Sequence, residues 1–110
     1  MKQLQTEIKE FIARRNWKQY HSPKNLVMAL SVEAAELTEI FQWMTQEESR
    51  NVTKETRSHI EEEIGDIMIY LSTVAAAFDI DPISAARKKL VKNATKYPAP
   101  KELSDDGNLT

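Results

Sequence analysis

The chain has 110 residues, no cysteine, 29% charged and 41% hydrophobic residues, and a formal net charge of -2. That length suits one domain whose core is small enough for self-association to help it. The acidic balance excludes a general nucleic-acid binder, which needs a net basic face, and the lack of cysteine excludes a disulfide framework or a thiolate metal site.

With only two glycines and four prolines, the hydrophobic period is helical almost throughout and strand alternation is absent, so the expected class is all-α. The first helix runs from Lys2 to about Arg15, with Leu4, Ile8, Phe11 and Ile12 as its apolar face. It is amphipathic and carries acids, unlike a signal peptide. The segment from Asn16 to Ser22 reads as a loop. Ser22 followed by Pro23 is an N-cap and first-turn signature, and it opens a second helix that ends near Met44. The polar stretch from Thr45 to Asn51 reads as a connector.

A third helix is expected from about Val52–Thr56 to Phe78. Its longest apolar stretch, Ile67 to Phe78, contains Tyr70, Ser72 and Thr73 and is too short to span a bilayer. A protein without membrane contact, located in the cytoplasm, is the expectation. Asp81 and Pro82 repeat the cap signature for a fourth helix, which stops near Tyr97 because Pro98 and Pro100 cannot continue it. Residues 1–100 form the expected folded domain. Residues 101–110 are polar and read as a disordered tail.

Two acidic pairs stand out, Glu33 with Glu36 and Glu63 with Asp66. On the second helix Leu26, Leu30, Glu33, Leu37, Ile40, Phe41 and Met44 step by three or four residues, which puts Glu33 in the stripe that should be buried. Residues three apart on a helix differ by about 60° around its axis, so the two carboxylates of a pair can aim at one point. On the third helix Ile60, Ile64, Ile67, Leu71, Val74 and Phe78 read as the apolar stripe, with Glu63, Asp66 and Tyr70 along its edge.

Ionised carboxylates at such places cost several kcal/mol each unless compensated. No lysine or arginine lies near either pair at helical spacing, so a divalent cation is the simplest counter-charge. All-oxygen ligation favours Mg2+, with Mn2+ as an alternative. A ferritin-like di-iron site is disfavoured, because it needs Glu-x-x-His pairs and neither acidic pair provides the histidine.

Trp17 and His21 lie in the first loop and Trp43 near the end of the second helix, positions from which aromatic rings can stack on a planar base. On the fourth helix Arg87, Lys88, Lys89, Lys92 and Lys96 are basic, and Lys89, Asn93 and Lys96 share a face suited to phosphate. Ile83, Ala86, Leu90, Ala94 and Tyr97 form the opposite face, expected to be packed.

The pattern Glu33-x-x-Glu36, a gap of 26 residues, then Glu63-x-x-Asp66 resembles the signature of MazG-like nucleoside triphosphate pyrophosphohydrolases, in the all-α NTP pyrophosphatase superfamily. The segments NWKQYHSPKNLVMALSVEAAELTEIFQW, EEEIGDIMIYL and KNATKYP are most similar to its dCTP pyrophosphatase group. The resemblance implies a four-helix bundle-like fold, assembled as a homodimer or a homotetramer made from two dimers. It also implies Mg2+-dependent hydrolysis of a nucleoside triphosphate, dCTP or a modified pyrimidine deoxynucleotide, to monophosphate and pyrophosphate in nucleotide pool housecleaning.

By the same resemblance Glu33, Glu36, Glu63 and Asp66 are the metal ligands, and Trp17, His21, Trp43 and Tyr70 contact base or sugar. Lys89, Asn93 and Lys96 approach the phosphates or base. Glu36 is the first candidate for the catalytic base, with Glu33, Glu39 and Glu62 as alternatives. The competing readings are a dUTP- or phosphoribosyl-ATP-directed relative and a non-enzymatic helical interaction module.

Overall fold

The computed structural model describes residues 1–100, and the tail expected at 101–110 lies outside the described residues. Five α-helices follow in order: α1 (Lys2–Arg14), α2 (Pro23–Phe41), α3 (Gln46–Arg50), α4 (Lys54–Ala77) and α5 (Pro82–Lys96), with a 3-10 turn at Lys18–Tyr20 between α1 and α2. No strand occurs among the described residues, as the helical period requires. No single helix there is long and apolar enough to cross a membrane.

Side-chain caps start three of the long helices where the sequence indicates. Ser22 Oγ accepts from Asn25 N at 3.1 Å, Thr53 Oγ1 from Thr56 N at 3.1 Å, and Asp81 Oδ1 from Ile83 N at 2.9 Å. Each satisfies a backbone donor that the helix itself leaves free. Two helices end alike. Asn16 (φ 54°) and Asp79 (φ 56°) take the left-handed conformation after α1 and α4. Trp17 N then donates to Ile12 O at 3.2 Å and Ile80 N to Ala75 O at 2.9 Å. Both are Schellman turns, in which a short polar side chain stands in for the usual glycine.

Two boundaries differ from the sequence expectation. The second helix ends at Phe41 instead of Met44, whose N–H closes a shorter turn onto Phe41 O at 2.9 Å. The connector after it holds the short helix α3, started by a reciprocal capping box: Thr45 Oγ1 accepts from Glu48 N at 3.1 Å, and Thr45 N donates to Glu48 Oε1 at 2.8 Å. The Thr-x-x-Glu spacing of that box was present in the sequence.

The main packing is α2 on α4, with α1 laid against α4. Leu26 is almost fully buried, and Leu30, Leu37, Ile40, Phe41 and Met44 are half-buried, which confirms the α2 stripe. On α4 the covered face is Ile60, Glu63, Ile67, Tyr70 and Val74, while Ile64, Leu71 and Phe78 are exposed. The expected α4 stripe is thus split between two faces, because a long helix that is apolar most of the way round has more than one side to cover.

The axis turns by 90° between α4 and α5, and α5 makes little contact with α4. Ile83, Leu90 and Tyr97, expected in a packed face, are exposed in a single copy. At the junction Gln5 Nε2 bridges Ser72 O at 3.3 Å and Ile80 O at 3.2 Å, which ties α1 to the end of α4.

Candidate metal centre

The pairing of α2 with α4 brings the two acidic segments face to face. Glu33, Glu36 and Glu63 each offer an oxygen, and the three oxygens lie within 4.8 Å of one another. Glu63 is only 6% exposed, in the middle of the covered face of α4. Asp66, one turn further on, is exposed and stands outside this trio, but its charge acts on Glu33.

Glu33 is pushed from the ordinary 4.5 up to about 7, first by desolvation, then by hydrogen bonding with Glu63 and Glu36, with the charges of Glu36 and Asp66 adding to it. Glu33 Oε2 and Glu63 Oε2 are buried without a hydrogen-bond partner. Converging hard oxygens, like charges in mutual conflict and two unpartnered buried acceptors together fit a hard divalent cation such as Mg2+ or Mn2+.

A pH prediction follows for the metal-free protein. A carboxyl that titrates near 7 when folded and near 4.5 when unfolded binds its proton more tightly in the fold. Its contribution to stability is therefore full below the unfolded value and is lost as pH rises through the folded one. In chelator, the melting temperature of the wild type should fall from about pH 5 to about pH 8 more steeply than that of Glu33→Gln. Parallel curves would show that Glu33 titrates normally.

An open cavity of about 490 Å3 adjoins the trio, lined by Glu36, Glu39, Ile40, Met44, Thr56 and His59. His59 Nε2 stands 3.6 Å from Glu63 Oε1, with the His59 side chain 57% exposed. From the sequence His59 reads as a solvated helix residue beside acids, and its i, i+4 spacing to Glu63 is the one signal that marks it.

A second cavity, of about 650 Å3, lies between α1 and the end of α4 and is lined by residues that include Gln5, Ile8, His21, Leu26 and Ser72. His21 Nδ1 is buried there without a hydrogen-bond partner. Leu26 and Ser72 stand about 10 Å along α2 and α4 from Glu33 and Asp66, at 1.5 Å per residue.

The other sequence-selected residues are spread along the chain. Trp17 sits on the Schellman turn, edge-on to Phe11 at 5.8 Å between centroids, with the Arg15 guanidinium 3.5 Å over Phe11. Trp43 is 89% exposed. Tyr70 is half-buried one turn beyond Asp66. Lys89, Asn93 and Lys96 lie on α5 and line neither cavity, and Lys96 Nζ rests 5.4 Å over the Tyr97 ring. A single copy brings the acids together and leaves the basic stripe apart.

A MazG-like family model matches residues 28–108, the stretch that carries both acidic pairs. The chain belongs to the MazG-like family. Human dCTP pyrophosphatase 1 is 40% identical over 92 residues, and the bovine protein of the same name is 41% identical over 91. These alignments cover 82% and 81% of this chain and 54% of each relative, so the chain spans about half the length of the curated relatives it matches. A crystal structure of a pyrophosphatase from Archaeoglobus fulgidus DSM 4304 is 42% identical and superposes with a TM-score of 0.84, covering 90% of this chain and 93% of that one. This MazG-like chain therefore shares its arrangement of helices with a structure matched over nearly its whole length.

Proposed function

We propose that the protein is a Mg2+-dependent nucleoside triphosphate pyrophosphohydrolase that converts dCTP or a modified pyrimidine deoxynucleoside triphosphate to the monophosphate and pyrophosphate. The observation that carries this reading is the convergence of Glu33, Glu36 and Glu63 on one point, with buried oxygens left unpartnered. The substrate class rests on the relatives named dCTP pyrophosphatase 1.

Glu33, Glu36, Glu63 and Asp66 would hold the cation. When bound, it would neutralise phosphate charge and lower the pKa of a coordinated water. Glu36 alone belongs both to the trio and to the open cavity, which supports it as the group that takes a proton from a water entering there. The attack this prepares is on the α-phosphorus, with pyrophosphate leaving.

Base and sugar fall to Trp17, His21, Trp43 and Tyr70. A ring as exposed as Trp43 presents a stacking face worth about 1 to 3 kcal/mol against a base. The exposed apolar residues Val27, Met28 and Val32 on α2 and Ile64, Met68 and Leu71 on α4 support assembly as a homodimer or a tetramer of two dimers. In that assembly Lys89, Asn93 and Lys96 can approach a phosphate chain held by another copy. The domain is assigned to residues 1–100, and the work to the cytoplasmic nucleotide pool.

Pyrophosphate release across a panel of nucleotides with Mg2+ tests the substrate assignment. dCTP and its 5-substituted analogues should turn over fastest. Preference for dUTP or phosphoribosyl-ATP would reassign the substrate and leave the metal chemistry standing, whereas no turnover of any nucleotide would favour an interaction module.

A further inference from the structure

Glu63 divides its two oxygens between different neighbours. Oε1 faces His59 Nε2 at 3.6 Å, and Oε2 is buried without a partner. The terminal torsion of a glutamate is broad and roughly two-fold, so the carboxylate plane is set by whatever its oxygens meet. Beside Glu63, the groups that share the trio are the acids Glu33 and Glu36, which repel it and supply no donor when ionised.

His59 can supply that donor. It lies one turn before Glu63 on α4, at a spacing that puts both residues on one face. A neutral imidazole with its proton on Nε2 points an N–H at Oε1. The 3.6 Å separation is slightly longer than a direct hydrogen bond and closes with a small rotation of an exposed side chain, or through one water from the adjoining cavity. The histidine nitrogen stands outside the group of converging ligand atoms, so it acts through the carboxylate.

We propose that His59 is a positioning residue, which anchors Glu63 Oε1 so that Oε2 is presented to the metal. The proposal rests on the carboxylate trio being a metal site. Anchors of this kind set ligand orientation, and their loss typically lowers metal affinity about 10- to 100-fold.

Mn2+ binding measured by calorimetry without nucleotide, at a fixed pH where imidazole is neutral, separates the two ideas. Three proteins are compared: wild type, His59→Leu, which removes the donor, and His59→Gln, which restores one. His59→Leu should weaken Mn2+ about 10-fold or more, with its melting temperature in chelator unchanged, and His59→Gln should recover most of the loss. Wild-type affinity in His59→Leu would overturn the positioning role. Equal loss in both variants, or a lowered melting temperature accompanying the loss, would overturn it in favour of a purely structural histidine. A wild type that binds no Mn2+ would instead overturn the metal site itself and the positioning role with it.

Discussion

Glu63→Gln should lower Mg2+-dependent pyrophosphate release from dCTP by about 1,000-fold, a loss of ~4 kcal/mol of transition-state stabilisation at 1.36 kcal/mol per decade. The substitution keeps the volume and one carbonyl oxygen, so the covered face of α4 stays filled. It removes the charge at the most buried member of the trio. In chelator the variant should melt at or above the wild type, because an acid with an unpartnered buried oxygen has been taken away from two other acids. The helical circular dichroism signal should be unchanged. Retained activity would remove Glu63 from the site, and a collapsed melting temperature would show that its role is structural.

Mg2+ should stabilise the wild type strongly and Glu63→Gln hardly at all. A ligand that binds only the folded state at about a hundred times its Kd contributes ~2.7 kcal/mol. For a domain of this size that is about 10 to 20 °C in melting temperature. The gain should grow as pH rises through 7, because the cation must displace the proton that Glu33 holds with a pKa of about 7. Thermal melts with Mg2+ and with chelator, at two pH values, measure both effects. Equal shifts in wild type and variant would place the cation elsewhere.

The long helices were legible because each signal was local. Ser22 and Asp81 are capping residues readable from the proline that follows each, and the structure uses both. The cap at Thr53, with no proline after it, falls inside the range expected for the start of its helix without standing out there. The helix at Gln46–Arg50 carried an equally local capping box, obscured by its shortness and polarity. The α4 stripe was misread because α4 has apolar residues on two sides, and periodicity alone does not say which side one copy covers.

The site divides in the same way. Glu33 and Glu36 face Glu63 because α2 packs on α4. The i, i+3 spacing puts each pair on one face of its own helix but does not say which helices meet. His59 reads from the sequence as a solvated helix residue, because a histidine beside acids on a polar stretch is ordinary. Its role depends on which oxygen of Glu63 is left free, and that is set by the packing of α2 on α4. The basic stripe of Lys89, Asn93 and Lys96 needs a quaternary arrangement before it can meet phosphate, and the 90° turn before α5 explains why one copy does not bring it to the acids.

Hydrolysis of dCTP with Mg2+ in 18O-labelled water tests the proposed chemistry most directly. Attack on the α-phosphorus predicts pyrophosphate and dCMP in equal amounts, with the label in dCMP and none in pyrophosphate. Release of dCDP with labelled phosphate, label in the pyrophosphate, or no turnover would contradict it.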